Sequence, residues 1–430
     1  MERFLVAGRA WPRAVGLPDL YSAIVGAPRC MRRGAPCDLS RGIESNVPAR
    51  TITIHLSRPD GDLLHKLTMH FASVVPADSP DRPTKGLTPP GTGPYRPVAW
   101  DARRGGTFVR NRYFRSDPAR SRGEGFADRI EVRLHSKRTI EREIGAVQRG
   151  DADLAVLGDP FGPLVSEGRL RALVARSPGQ VRSAPAATTD WAFLDTRRRP
   201  FDNIRVRRAL NLAIDRAKVV ALSGGPELGE PTCQVVPANF QGNAPYCRYT
   251  ASPAKGGGWT APDMARARQL VAASGRAGER VVVRVPEFRK AVGRYVAKVL
   301  DKLGFRTTVR VLSFNDPEVD SRTQIGFTGW LADYLGASTF IEPAFTCAQR
   351  GASNLSYICD PKLERLIARA AVTRPADAGR AWAAADHRVA DLAPVVPLTQ
   401  RRSSVLVSKR AGNVQTHGQW FTLLDQMWVR

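Results

Sequence analysis

The sequence predicts an α/β protein that contains at least two sheets. Segments with strand periodicity and segments with helix periodicity alternate along the 430 residues, and no repeat period organises them. Hydrophobic residues make up 43% of the chain and charged residues 24%, which is the balance of an ordinary globular protein. No run of about 18 apolar residues occurs, so the sequence predicts no membrane-spanning helix.

The first part of the chain is predicted to form strands and two helices. Residues 51–56 alternate with period two and carry β-branched side chains, and residues 60–70 indicate a short helix with Leu63, Leu64 and Leu67 on one stripe. Six Pro and three Gly over residues 76–94 indicate a loop or a crossing between domains. The other elements are strands at 95–100, 107–110, 130–134 and 154–157, and a helix at 138–149 with Ile140, Ile144 and Val147 facing inward.

The remainder of the chain alternates between helices and strands. The most pronounced apolar face belongs to a helix predicted over 204–222, and the Gly- and Pro-rich residues 223–260 indicate an ordered loop. A β-α-β unit is predicted within 281–312. The predicted elements are strands at 191–194, 281–285, 307–312, 325–330, 395–398, 404–407 and 423–429, and helices at 265–273, 295–303, 363–371 and 381–392.

The chain is strongly basic. Lys and Arg total 65 against 40 acidic residues, which gives a formal net charge of +25, and only ten of the basic residues are Lys. Such a charge favours anionic partners such as nucleic acid, acidic lipid or cell-wall polymer. The alternative is an Arg-rich composition scattered over a solvated surface, because the densest clusters, 197–199 and 207–208, lie beside element boundaries and lack a series of aromatic stacking partners.

The cysteines fall into local pairs. The three pairs are Cys30 with Cys37, Cys233 with Cys247, and Cys347 with Cys359. An even number and local spacing suit disulfides formed in an oxidising compartment. Zinc is a weaker alternative, because no pair has the short ligand gap of a zinc site and the chain offers only six His. Independent buried thiols are the third alternative.

The sequence carries no recognisable catalytic constellation. The Gly-x-Ser-x-Gly, Walker-type and His-Glu-x-x-His motifs are absent. His65 and His70 lie five residues apart and do not share a helical face, which argues against a metal pair. We therefore predict no enzyme activity, no metal and no cofactor.

One cluster of side chains suits ligand binding. The strand predicted over 325–330 ends in Trp330, and Asp333 and Tyr334 follow before a loop of small residues. An aromatic wall beside a carboxylate at a sheet edge suits an ammonium group. On local sequence alone the alternative is that Trp330 is a core residue and Asp333 a loop cap.

Five motifs stand in the order and spacing of a known family. They are Gly91-Thr92-Gly93-Pro94-Tyr95 with Val109-Arg110-Asn111-Arg112-Tyr113-Phe114 behind it, Ala146-Val147-Gln148-Arg149-Gly150-Asp151-Ala152-Asp153, Pro200-Phe201-Asp202-Asn203-Ile204-Arg205-Val206-Arg207-Arg208-Ala209-Leu210, Ala213-Ile214-Asp215-Arg216, and Gly329-Trp330-x-Ala332-Asp333-Tyr334. On these residues the chain resembles the family 5 extracellular solute-binding proteins, which are the oligopeptide- and dipeptide-binding receptors of ABC importers. The resemblance covers nearly the entire chain.

The resemblance implies a two-lobed α/β fold of the periplasmic-binding-protein type, class II-like, with a subdomain inserted in the first lobe. Hinge segments in such a fold close the lobes over a ligand. Mapped onto this sequence, residues 1–90 correspond to the inserted subdomain and 91–230 to the first lobe. Residues 231–405 correspond to the second lobe, and 406–430 return to the first.

The resemblance also implies ligand-binding roles for Trp330, Asp333 and Tyr334. In the peptide receptors the aspartate that matches Asp333 pairs with the α-ammonium of the peptide, and the tryptophan that matches Trp330 lies in the same cleft. The peptide backbone binds like an added strand, while side chains enter roomy, hydrated pockets. The implied partners are a peptide or small solute and ABC permease subunits. Contact with the membrane is indirect, through the transporter or a lipid anchor, and no nucleic acid is expected.

The sequence departs from the family pattern at two places. Members usually continue Ala-Asp-Tyr with an Asp-Pro or Glu-Pro-like turn, where this chain has Leu335-Gly336-Ala337-Ser338, so the pocket floor is expected to differ. Members also carry an export signal and further first-lobe residues before the position that matches Met1. The resemblance therefore predicts an extracytoplasmic protein, at the cell surface or in the periplasm, whose N-terminal part and signal peptide are missing from this sequence.

The basic charge supplies a second hypothesis of a different class. In this alternative the chain is a basic surface-associated or nucleic-acid-binding protein without a transport role.

Overall fold

The computed structural model describes residues 20–32, 35–69, 72–74, 76, 91–101, 103–115, 125–134, 139–159, 162–313 and 323–430. Most of the predicted loop at 76–94 lies outside these residues. In the described part of the chain, no helix has the length and apolar character that crossing a membrane requires.

The described helices follow one another in this order: α1 (Ala27–Cys30), α2 (Leu63–Leu67), α3 (Ile140–Arg149), α4 (Glu167–Arg176), α5 (Ile204–Ala213), α6 (Arg216–Leu222), α7 (Met264–Ser274), α8 (Lys290–Lys302), α9 (Ser338–Phe345), α10 (Pro361–Ala371) and α11 (Pro375–Leu392).

The described strands follow one another in this order: β1 (Ile43–Asn46), β2 (Thr51–Ile54), β3 (Tyr95–Asp101), β4 (Gly105–Arg110), β5 (Arg129–Arg133), β6 (Leu154–Asp159), β7 (Gly162–Pro163), β8 (Val181–Leu194), β9 (Gly229–Pro231), β10 (Arg280–Pro286), β11 (Arg306–Leu312), β12 (Ile325–Leu331), β13 (Val395–Val407), β14 (Ala411–Gly412), β15 (Thr416–His417), β16 (Phe421–Thr422) and β17 (Trp428–Val429).

The chain forms two compact units that share two long strands. The first unit comprises Met1–Ser73, Ala187–Val219 and Pro231–Gln400, and the second comprises Val74–Ala186, Val220–Glu230 and Arg401–Arg430. Strands β8 and β13 each begin in one unit and end in the other. The lobe boundaries at 90, 230 and 405 stay a prediction. The compact units are a separate division of the chain, in which residues 187–219 belong with 231–400.

The first unit is built on a mixed sheet with the strand order β11-β10-β12-β8-β13. Strands β10 and β11 are parallel and joined by α8, which confirms the predicted β-α-β unit, while β12 runs antiparallel to β8. Large aromatic side chains, among them Trp191, Phe240, Phe340 and Trp382, fill the main core of this unit. Strands β1 and β2 form a separate hairpin.

The second unit contains the antiparallel sheet β3-β4-β5 and the pairing of β13 with β6. Helix α3 packs on this part of the chain. Its predicted inward residues Ile140, Ile144 and Val147 are all buried, which confirms the amphipathic pattern. Leu157 and Leu406 extend the same core from β6 and β13.

Two predicted helices differ from the structure. The helix predicted over 204–222 is two helices, α5 and α6, because the Asp215 carboxylate accepts the backbone N–H of Lys218 and starts a new helix. The helix predicted over 60–70 is shorter in the structure, where it is α2. The prediction that its leucines form one buried stripe is wrong, since Leu64 is 73% exposed while Lys66 is buried. An apolar pattern over five residues cannot reveal that the buried side chain is a charged one.

The long strand β13 was predicted as two short strands separated by a polar stretch. Thr399 and Gln400 fall in that stretch, yet both are buried. The Gln400 amide accepts the backbone N–H of Ala238 at 2.9 Å and donates to Asn239 at 2.8 Å. Polar side chains that find partners can remain inside a strand, so the pattern alone does not reveal that the two predicted strands are one.

All three predicted disulfides form in the structure. The bonds join Cys30 to Cys37, Cys233 to Cys247 and Cys347 to Cys359, and no cysteine is left free. Disulfides of this local kind restrict short loops and suit an oxidising compartment.

The dense Arg clusters serve the fold. Arg197 and Arg198 pair with Asp195, and the buried guanidinium of Arg207 donates to the carbonyl oxygens of Phe201 and Leu392. This use of arginine favours the interpretation that the charge at these positions is structural.

The guanidinium of Arg216 is the most completely buried charge of the first unit's described residues, with no exposed surface. It donates to the carbonyl oxygens of Thr232 and Pro397, both at 2.9 Å, and of Asn211 at 3.1 Å. These bonds tie the start of α6 to the neighbouring loop and to β13.

Replacing Arg216→Met should destabilise the protein strongly. Each buried carbonyl left without a donor costs about 1–3 kcal/mol, so we expect the free energy of unfolding in urea to fall by more than about 3 kcal/mol. The matched control is Arg171→Met on α4, because Arg171 is exposed and its pair with Glu167 is an interaction worth less than about 1 kcal/mol. Equal losses for the two variants would contradict the role of Arg216.

Candidate functional site

A cavity of about 200 Å³ lies within the first unit. Its walls come from the residues before and within α2, from the end of β12 and the loop after it, and from α9. The predicted ligand-binding residues Trp330, Asp333 and Tyr334 all line it. The structure therefore brings the three together at one cavity.

The close approach of the walls depends on a glycine in the loop between β12 and α9. A Cβ atom on Gly336 would lie 2.9 Å from the Asp62 Oδ1 atom and 2.9 Å from the Tyr334 ring. Glycine therefore allows the residues before α2 to pack directly on this loop. This is the stretch where the sequence departs from the usual turn of the family that it resembles.

Asp333 is held by a hydrogen-bond network centred on Thr339. The Thr339 hydroxyl donates to Asp333 Oδ2 at 3.0 Å and accepts the Asp333 backbone N–H at 3.1 Å. The indole N–H of Trp330 also reaches the Thr339 hydroxyl at 3.4 Å. Burial raises the pKa of the Asp333 carboxyl, while its hydrogen bonds with Thr339 and Trp330 act to lower it. The carboxylate is therefore oriented before any ligand arrives.

Tyr334 is fully buried and links the loop to the residues before α2. Its hydroxyl lies 2.7 Å from the Ser338 Oγ atom, and Ser338 donates to Asp62 Oδ2 at 2.5 Å. Lys66 on α2 also contacts Tyr334, with its Nζ atom 5.7 Å from the centre of the Tyr334 ring. The same Nζ atom lies within 2.9 Å of both carboxylate oxygens of Asp60. Burial raises the pKa of the Tyr334 hydroxyl well above its ordinary value.

Glu342 on α9 is the remaining acid of the cavity. Within the described part of the chain, no hydrogen bond or ion pair to its carboxylate is present. Burial raises the pKa of Glu342 to about 7; Lys66 and Arg58 act in the opposite direction, and Asp62 and Asp60 raise it further.

The cavity is acidic in a basic protein. Among the described residues that line it, the acids are Asp60, Asp62, Asp333 and Glu342, and the bases are Arg58 and Lys66. A site with an excess of carboxylates attracts cationic groups. The described residues contain no cluster of three or more side chains suited to holding a metal ion.

Sequence reasoning found the aromatic and carboxylate cluster but missed the opposite wall. Trp330 is partly buried against the main core, as the alternative of a core residue predicts. Asp333 accepts a hydrogen bond from the first turn of α9, which is the kind of structural role that its alternative as a loop cap implies. Asp62, Lys66 and Glu342 were missed. Glu342 could have been recognised in the sequence because it is the single acidic residue within the mostly apolar segment Ser338–Phe345.

Replacing Glu342→Gln should stabilise the protein at pH 8 but not at pH 5. The folded chain holds the proton of Glu342 up to about pH 7, whereas an unfolded glutamate loses it near pH 4.5. The cost of this carboxylate therefore appears as pH rises from 4.5 through 7 and is complete above 7. We expect the difference in the free energy of unfolding between the variant and the wild type to rise by about 1–3 kcal/mol in favour of the variant from pH 5 to pH 8, measured by urea unfolding. An identical difference at the two pH values would contradict this environment for Glu342.

Comparison with known proteins places the chain in a family. The family model described as "Bacterial extracellular solute-binding proteins, family 5 Middle" matches residues 44–352, which is more than half of the chain.

Two relatives share low sequence identity with this chain. A probable di/tripeptide-binding protein 5 of Pseudomonas aeruginosa is 25% identical over 340 residues, which cover 74% of this chain and 58% of the relative. The heme-binding protein A of Haemophilus influenzae is 22% identical over 402 residues, which cover 88% of this chain and 68% of the relative. The chain thus spans between about three fifths and two thirds of the length of these relatives.

A solved structure extends the similarity to the fold. The clavulanic acid biosynthesis oligopeptide binding protein 2 matches with a TM-score of 0.77 and 20% identity, covering 100% of this chain and 78% of that protein. The fold is thus the two-lobed α/β fold of the oligopeptide-binding proteins, as predicted. The proteins it resembles are binding proteins rather than enzymes, and the chain belongs to the family 5 bacterial extracellular solute-binding proteins.

Proposed function

We propose that the chain is the substrate-binding component of an ABC importer, which captures peptides or a related solute with a free amine and delivers them to a permease. Membership of family 5 supports this function, as do the peptide-binding names of the Pseudomonas relative and of the clavulanic acid protein. The observation that carries it is the partly buried carboxylate of Asp333 beside the Trp330 indole in an acidic cavity.

In this proposal the α-ammonium of the peptide pairs with the carboxylate of Asp333. Burial disfavours the lone carboxylate, so a cation that enters the cavity offsets the desolvation cost that raises its pKa. Because Thr339 already orients the carboxylate, little reorganisation is needed when the ammonium arrives.

Trp330 and Tyr334 have different parts in this proposal. The partly buried indole of Trp330 forms an aromatic wall for the first residue of the peptide and contributes a cation–π attraction. Tyr334 contacts the cavity with its ring while its hydroxyl stays bonded to Ser338, so it mainly fixes the wall that carries Asp62.

Capture is proposed to end in closure of two lobes, with residues 1–90, 91–230, 231–405 and 406–430 arranged as in the family. Strands β8 and β13 run from one compact unit into the other, and continuous segments of this kind suit a hinge. A ligand that contacts both lobes shifts the equilibrium to the closed state by its differential affinity.

The proposed location is outside the cytoplasmic membrane, at the cell surface or in the periplasm. Three disulfides support it, because bonds of this kind persist in oxidising compartments. ABC permease subunits are the proposed partner there.

The alternative of a nucleic-acid-binding or other basic surface protein is not favoured. Family membership gives no support to it, and the cavity carries more acids than bases. The two functions differ in their response to salt, since a phosphate-binding protein loses orders of magnitude in affinity between about 50 and 200 mM salt, and capture in an enclosed cavity does not.

The test of the proposed function is calorimetry with alanine peptides of two to five residues and with their N-acetylated forms. We expect the free-amine peptides to bind and N-acetylation to weaken binding about 100-fold, because it removes the charge that pairs with Asp333. Asp333→Asn should cause a similar loss for the free-amine peptides.

The matched control is Asp377→Asn, which changes an exposed aspartate of α11 in the same unit. This variant should bind as the wild type does. Equal affinity for free and acetylated peptides would remove Asp333 from its proposed role, and the failure of every peptide to bind would contradict the proposed function itself.

A further inference from the structure

The charges of the cavity do not balance. Four carboxyl groups line it against two basic side chains, so with all groups ionised the site lacks two positive charges. The α-ammonium of a peptide supplies one of them. A second positive charge on the ligand would therefore balance the remaining negative charge of the cavity.

The two basic side chains of the cavity already have partners. Lys66 contacts both oxygens of Asp60, at 2.8 and 2.9 Å, and the exposed Arg58 donates to the Ser22 hydroxyl at 2.7 Å. Lys66 also attracts Glu342, but it lies in no hydrogen bond with it among the described residues. Among the described residues, no basic side chain bonds to Asp62 or Glu342, and Asp333 is held by Thr339.

One face of α9 organises the three remaining acids. Ser338 donates to Asp62, and Thr339 donates to Asp333. Glu342 lies four residues after Ser338 and three after Thr339, which places all three side chains on the same face of the helix. The Glu342 and Asp333 side chains line the same cavity of about 200 Å³, so one ligand in this cavity can contact both carboxylates.

Glu342 differs from the other acids of the cavity because no described residue forms a hydrogen bond or ion pair with its carboxylate. The hydroxyls of Ser338 and Thr339 serve Asp62 and Asp333, whereas in the described part of the chain the Glu342 carboxylate has no donor. A partly buried carboxylate without a hydrogen-bond partner is costly unless a ligand supplies the missing cation.

We infer that Glu342, assisted by Asp62, binds a second cationic group of the ligand next to the α-ammonium site. The site is thereby selective for peptides whose first residue is basic, such as lysine or arginine. This inference rests on the proposed function and specifies its substrate class. The flexible stem of a lysine or arginine side chain can carry its charge about 6 Å from the backbone, which lets one residue of the ligand reach a second carboxylate of the same cavity.

The test compares peptides that differ only in the charge of the first side chain. Calorimetry at pH 8 with Lys-Ala-Ala and with norleucine-Ala-Ala, which has a similar aliphatic stem but no ammonium, should give an affinity ratio of tenfold or more in favour of lysine. In Glu342→Gln the ratio should fall toward one, because the second carboxylate is gone.

The matched control is Glu287→Gln, in which the replaced glutamate is 65% exposed and pairs with Lys290. This variant should keep the wild-type ratio. A melting curve shows whether Glu342→Gln is folded, and the peptide comparison on the wild type tests the inference even if it is not.

Acidification provides a second readout of the same site. The preference for lysine should decline between pH 8 and pH 6 in the wild type and stay flat in Glu342→Gln, as Glu342 gains its proton near pH 7. The charged or titratable groups that line the same cavity as Glu342 are Arg58, Asp60, Asp62, Lys66, Asp333 and Tyr334.

The possible results separate this inference from the function on which it rests. If Lys-Ala-Ala and norleucine-Ala-Ala bind equally well, the second cation site is wrong while peptide capture stands. If neither peptide binds and no free-amine alanine peptide binds, the proposed function fails. A preference that persists unchanged in folded Glu342→Gln would assign the selectivity to other residues.

Discussion

The site depends on one constraint, which is the docking of the residues before α2 onto the first turn of α9 through buried polar contacts. The chain of hydrogen bonds from Tyr334 through Ser338 to Asp62 makes this contact, and the missing side chain of Gly336 gives it space. Polar groups in such a contact must be satisfied together, because each one left alone is costly. The constraint therefore fixes both the wall that carries Asp62 and the helix that carries Glu342.

Arginine has two separate uses in this basic chain. Arg207 and Arg216 lie inside the first unit and satisfy backbone carbonyl oxygens at the ends of helices and loops, and Arg197 pairs with Asp195. Arg207 and Arg216 contribute to the formal charge of +25 without offering a surface for an anionic partner, because both are buried. The cavity has the opposite sign, so net charge is a poor guide to the ligand of this protein.

The sequence predicts the fold class, the β-α-β unit, the cysteine pairs and the cluster of Trp330, Asp333 and Tyr334, because each depends on neighbouring residues or on a linear motif. It does not predict the wall formed by Asp62 and Lys66. Asp62 meets Ser338 across 276 positions of sequence, and a buried lysine in a short helix contradicts the pattern from which burial is inferred. The sequence does not predict that β13 continues through its polar middle for the same reason, because the partners of those polar side chains are remote in sequence.

Strand β13 has a consequence for how the protein is made. It lies between β8 and β6 in the strand order, and its residues Val395–Val407 belong to both compact units. Synthesis proceeds from the N-terminus, and domains generally fold as they emerge from the ribosome. Here the sheet cannot be completed until this late segment has been translated, so β8 and β6 must remain without the neighbour that they share until then.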